Sequence, residues 1–220
     1  LEFLNVLLKE LEIEPGIFLQ QVQRAHREER VERLVTRGVE LIIQPIPGVQ
    51  PLLICGGGHV GRSVSKVAAA TGFTVTVVDD REDYATPARF PEATATISGK
   101  WNDALSQITI TPSTSIVIVT RAHQSDKEVL RLALCTPAQF IGMIGSSRKV
   151  SATYDSLRRE GVSVETLRRV HAPIGLHIGA VTAEEIAVSI VAQLIRHRRR
   201  FYGASVPLSE KMNRWFDNGT

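Results

Sequence analysis

The 220-residue chain has only two cysteines, Cys55 and Cys135, and 5% aromatic residues. Two thiols in a chain this long exclude a disulfide framework and make the cytoplasm the default compartment. No apolar run approaches bilayer length and no secretory pattern opens the chain, so membrane partners are not expected. Charge of one sign is also scarce: the net formal charge is +3. Much of that excess lies in Arg196–Arg200 (RHRRR), which reads as a solvated helix end favoured by the helix dipole rather than a nucleic-acid or membrane contact. With 43% apolar and 22% charged residues, the chain can bury a substantial core. Leu1 in place of Met reads as a start inside a longer protein.

Residues 1–37 read as a helical N-terminal segment. Leu4, Leu7, Leu8 and Leu11 recur at helical spacing, Pro15-Gly16 breaks the pattern, and Ile17–Val35 is amphipathic and heavily charged. This segment is a docking arm or the remnant of another domain. Gly38–Ile46 suggests an edge strand, and Pro45, Pro47 and Pro51 a linker.

From Leu52 the chain alternates strand and helix. Strands are expected at 52–55, 73–78, 93–97, 115–120 and 140–144, with helices at 60–71, 125–134, 147–160 and 183–198. Thr182 and Glu185 form a capping-box pattern. Short strands, apolar on both faces and separated by helices, are the signature of buried parallel strands. The fold class is therefore α/β, a doubly wound, mostly parallel Rossmann-like sheet over residues 38–202, followed by a polar tail, 203–220.

The strand PLLIC ends in Gly56-Gly57-Gly58-His59-Val60-Gly61. In Gly-x-Gly-x-x-Gly, one glycine makes the turn, the second admits a phosphate to the backbone, and the third lets helix and strand pack closely. Free amides at the helix start then face an anion. Asp79, 18 residues past Gly61, falls where a carboxylate holds ribose hydroxyls. Arg81, after Asp80, suits a 2′-phosphate, which leaves the cofactor open. His59 either donates to an anion or caps the turn.

Ligands of open α/β sheets bind beyond the carboxyl ends of the strands. Thr120, Arg121, His123 and Asp126 should reach that rim after the fourth strand, and Gly145, Ser146, Ser147, Arg148 and Lys149 after the fifth. The loop His171–Gly179 should join them. Singly, Asp126 reads as a helix cap, Arg148 and Lys149 as a solvated helix start, and Glu184 and Glu185 as charges at a helix N-terminus. Together they suit an anionic, hydrogen-bonding ligand. The histidine spacing is no zinc signature, and no metal site is expected. Cys55 reads as a buried structural thiol, and Cys135 likewise.

The segments LLICGGGHVGR, VTVVDDRED, RFPEA, IVTRAHQSD, FIGMIGSSRKV and HAPIGLHIGAVTAEEIAVSI, in this order, resemble the XdhC/CoxI family, accessory proteins of xanthine dehydrogenase and related molybdenum hydroxylases. The resemblance spans about residues 38–199 and corresponds to the family's Rossmann-type C-terminal domain. It implies a non-catalytic chaperone that binds molybdenum cofactor (molybdopterin), helps it receive sulfur from a cysteine desulfurase, and assists insertion into the apoenzyme, acting as a homodimer. The family's motifs fall on Gly56, Gly58, His59 and Gly61, on Asp79–Arg81, on Arg89–Pro91, on Gly142–Ser146 and on His171–Leu176. Departures are Ala122, Ser147 and His177, and residues 1–37 lack the family's Ser-Gly-Gly-Cys-type motif. An NAD(P)-dependent oxidoreductase and a nucleotide-sensing module are the alternatives.

Overall fold

A computed structural model describes residues 2–28, 31–36, 38–44, 48 and 50–199. The tail 203–220, Arg200 and the linker prolines 45 and 47 lie outside the described residues.

Two helices open the chain, α1 (Glu2–Glu10) and α2 (Pro15–Glu28), the second starting on a proline whose missing N–H costs nothing there. Helix was expected to continue to residue 36, but β1 (Glu32–Thr36) pairs antiparallel with β2 (Val39–Ile43). Val31, Leu34 and Val35 fit helical spacing, yet burial alternates along β1 and cross-strand pairing wins over the local pattern. The hairpin straddles residue 37, where the sequence suggested a boundary.

The remaining strands are β3 (Pro51–Cys55), β4 (Thr74–Asp79), β5 (Ala95–Ser98), β6 (Ser115–Ile118), β7 (Phe140–Met143) and β8 (Val170–His171). They form one all-parallel sheet in the order β5-β4-β3-β6-β7-β8. The winding reverses between β3 and β6, the switch point beyond which open α/β sheets bind their ligands.

Alternation within each strand sorts the core into two layers. Leu53, Cys55, Ile116, Ile118, Ile141 and Met143 face α4 (Trp101–Ser106), α5 (His123–Leu134), α6 (Ser147–Arg159) and α7 (Val164–Arg168). Leu52, Ile54, Val75, Val77 and Val117 face α3 (His59–Ala70) and α8 (Ala183–Arg198). Each such side chain, fully buried, contributes about 1.5–3 kcal/mol.

Helices α3 and α8 are joined at both ends. Ser63 Oγ donates to Glu184 Oε1 (3.2 Å), and Arg198 Nη1 donates to the Thr71 carbonyl (3.1 Å). The basic run is therefore not simply solvated: Arg198 also lies over the Phe73 ring, 4.6 Å from its centroid. The Thr182–Glu185 capping box forms as expected. Among the described residues, no helix is long and apolar enough to cross a membrane.

Candidate functional site

The loop after β3 divides its glycines between packing and access. Gly56 has φ +121°, and a Cβ there would lie 2.4 Å from the Val119 carbonyl oxygen. A Cβ on Gly61 would lie 1.9 Å from the Gly56 carbonyl oxygen, and one on Gly57 1.9 Å from that of Tyr84. At Gly58 nothing stands within 4 Å. Three glycines thus let backbones touch, and Gly58 alone leaves its space open. It is the N-cap of α3 and has no side chain to cap it, so the first-turn N–H groups lack intrahelical partners. His59 is exposed on that turn and Val60 half-buried beside it. The His59 side chain makes no capping hydrogen bond to the turn.

A strap, residues 81–92, braces the loop from the β4 side. Tyr84 rests its carbonyl on Gly57, and its ring is in cation–π contact with two guanidinium groups, with Arg81 Cζ 3.3 Å and Arg89 Cζ 4.8 Å from the centroid. Arg89 Nη2 donates to the Gly57 carbonyl (3.2 Å), Phe90 is buried, and Glu92 accepts from Ser65 Oγ (2.6 Å). The Arg-Phe-Pro-Glu element therefore fastens the strap to both the glycine loop and α3. Arg89 belongs to the family's Arg-Phe-Pro element noted above, whereas Tyr84 was not among the expected site residues; its place three after Arg81, beside the paired acids, was the available signal.

Asp79 does not face the crevice as a hydroxyl acceptor. It is 2% exposed, with Oδ2 accepting from Gly57 N–H (2.7 Å) and Arg81 Nη2 (3.0 Å), and Oδ1 from Arg81 N–H (3.0 Å) and Nε (2.8 Å). Burial raises its pKa, but the Arg81 guanidinium, the Gly57 and Arg81 amides and the Arg81 charge outweigh that and hold it below the usual value. Arg81 is committed to the same pair, so it is not the free 2′-phosphate ligand its position suggested. Asp80 is exposed. Its carboxyl is raised by partial desolvation and by the neighbouring Asp79, with Arg121 and Arg81 opposing.

Across the switch point, Arg121 is exposed while Thr120 is buried, its Oγ1 donating to Asp126 Oδ1 (2.5 Å). Asp126 is fully buried and forms an ion pair with Lys149, so it is no helix cap: Ala122 holds that position on α5. Lys149 is likewise not simply solvated, whereas Arg148 is exposed. Gly145 lies against the Lys149 stem, and Ser146 caps α6 by accepting from Lys149 N–H (3.3 Å). His123 Nδ1 lies 3.2 Å from Thr153 Oγ1. Thr153 Oγ1 also donates to the Lys149 carbonyl (3.0 Å).

His171 lies not in a rim loop but in β8. Its ring stacks on Phe140 (4.4 Å between centroids) and, with Gln193, Arg196 and His197, lines a cavity of about 240 Å³ under α8. The strand pairing of Gly142 with His171 puts it there. What flanks Gly145 instead is the loop beyond it, where Ile174, Leu176, His177, Ile186 and Ser189 border a cavity of about 230 Å³.

Burial, then the charge of His197, lowers the His171 pKa below its ordinary 6.5. The unfolded chain therefore binds the extra proton first, and this contribution to stability is full above pH 6.5 and falls as pH drops toward the folded value. Urea melts at pH 7.5 and 5.5 should show this loss, and His171→Asn should reduce it.

Cys55 is buried, and desolvation pushes its thiol up to about 12, so it is protonated at neutral pH. Cys135, expected to be structural, is exposed at the C-cap of α5. Among the described residues, no group of three His, Cys, Asp or Glu side chains is placed to hold a metal.

The parallel order, the reversal beside β3 and the glycine turn opening α3 define a Rossmann-type domain with its crevice at the switch point. Residues 52–194 match the model of the XdhC Rossmann domain, and the chain belongs to that family. It is 32% identical over 161 residues to YqeB of Escherichia coli K12, covering 72% of this chain and 29% of that protein. It is 31% identical over 160 residues to a protein of Bacillus subtilis named as a probable xanthine dehydrogenase subunit, covering 73% of this chain and 46% of that protein. A crystal structure described as a xanthine dehydrogenase from Bacillus halodurans superposes with a TM-score of 0.62 at 31% identity, covering 78% of this chain and 48% of that one. The chain thus spans less than half the length of each of these relatives.

Proposed function

We propose that this chain is the cofactor-handling module of an accessory factor for a xanthine dehydrogenase-type molybdenum hydroxylase, with a cysteine desulfurase as its second partner. The phosphate of molybdopterin, or of its nucleotide form, sits on the open turn at Gly58. The amides of the first turn of α3 and His59 donate to it, and Arg121 supplies charge from across the crevice. The apoenzyme partner is supported by the relatives named for xanthine dehydrogenase.

The observation that carries this reading is the unfilled space at Gly58 beside three glycines that are all packed on backbone. A phosphorylated pterin fits such a seat because its anion can accept from main-chain donors at the turn while Arg121 supplies the charge. When bound, the cofactor supplies the molybdenum centre, and this chain's residues hold and orient it. Chain purified without oxygen from cells that make molybdenum cofactor should carry a phosphorylated pterin or nucleotide by native mass spectrometry. Gly58→Val and His59→Ala should each lose it. Full occupancy in the Gly58→Val protein would overturn the placement. Turnover of a nicotinamide cofactor by the purified chain would favour an oxidoreductase instead.

A further inference from the structure

Two acids end β4, and the structure separates their tasks. Asp79 uses both oxygens twice, on Gly57 and Arg81, and has no capacity left for a ligand hydroxyl. Arg81 spends Nε and Nη2 on the same carboxylate and lays its guanidinium against Tyr84. The residue left facing solvent is Asp80, its Oδ1 3.7 Å from Arg81 Nε, in the combined field of Asp79, Arg81 and Arg121.

We infer that Asp80, not Asp79, is the specificity-determining acid of the crevice: it accepts the hydroxyls of an unphosphorylated ribose and so selects a nucleotide-bearing ligand. This rests on the glycine turn being the phosphate seat proposed above. A 2′-phosphate would meet the Asp80 carboxylate, and the guanidinium beside it is already balanced by Asp79. Asp79 is a positioning residue, acting on the ligand only through the Gly57 amide it holds.

The inference makes the two acids separable by calorimetric titration of the full chain with three probes: inorganic pyrophosphate, ADP-ribose and 2′-phospho-ADP-ribose. Pyrophosphate reports the seat alone. ADP-ribose should bind at least about tenfold more tightly than its 2′-phosphorylated form, the scale of a hydrogen bond to a charged group. Asp80→Asn should weaken ADP-ribose about tenfold, leave pyrophosphate unchanged and bring the two sugars within about threefold of each other. Asp79→Asn should weaken pyrophosphate and ADP-ribose together, lower the melting temperature and keep the preference between the sugars. An Asp80→Asn protein that retains both affinity and preference overturns the inference. So does an Asp79→Asn protein that loses the preference while binding pyrophosphate normally. Pyrophosphate binding with no gain for ADP-ribose sinks the ribose role and leaves the seat standing. Failure of all three probes removes the seat itself, and the inference with it.

Discussion

A Gly61→Ala protein should melt about 10 °C below the parent chain, whereas Gly58→Ala should melt with it and fail only in binding. The methyl group at 61 would enter the Gly56 carbonyl oxygen at 1.9 Å, backbone against backbone, in a helix whose other face is pinned by α8. No flexible side chain can give way. The overpacking penalty is about 3 kcal/mol. At 58 the backbone is ordinary (φ −70°) and the space is empty, so the fold should change by less than about 0.5 kcal/mol. A methyl group there would still stand between a phosphate and the main chain. Differential scanning fluorimetry with a parallel ligand titration checks both. Equal melting temperatures for the two variants would contradict the division between packing and access.

The second large effect belongs to the buried pair under the far rim. Lys149→Met should cost about 2–3 kcal/mol, because it leaves Asp126, fully buried, with Thr120 as its partner. The value sits at or below the low end for such pairs because Lys149 is 28% exposed and its charge is partly hydrated. Asp126→Asn in the same chain should recover most of the loss, since the amide oxygen still accepts from Thr120 and no bare charge remains. Urea melts of the two single variants and the double variant measure the coupling. Simple additivity would mean that the pair contributes nothing as a pair.

The sheet was legible because buried parallel strands write themselves as short apolar runs, and all five expected strands lie in it. Its sixth, Val170–His171, is two residues long and leaves no periodic trace, which is why His171 was expected in a loop at the mouth. Residues 32–36 misled for the opposite reason: an apolar spacing that suits a helix was used by a hairpin. Within the site, unlike the packing of Gly57 on Tyr84, the turn at Gly56 and the close contact at Gly61 could be read from spacing. The direction of Asp79 could not. An acid at the end of the second strand predicts a hydroxyl partner only when no nearby cation competes. Here Arg81, two residues on, folds back and takes it. Asp126 and Lys149 likewise looked like surface charges because their partnership joins two helices 23 positions apart in sequence.

The placement of the two thiols bears on any sulfur chemistry near this chain. Cys55 lies beneath the glycine turn, sealed and protonated. Cys135 ends the crossover helix from β6 to β7, which places it at the opposite margin of the sheet from the crevice. A persulfide formed on either would be stranded from whatever rests on the turn. Under the function proposed above, sulfur would reach a ligand on that turn straight from its donor, with the described residues acting as cradle and not as courier.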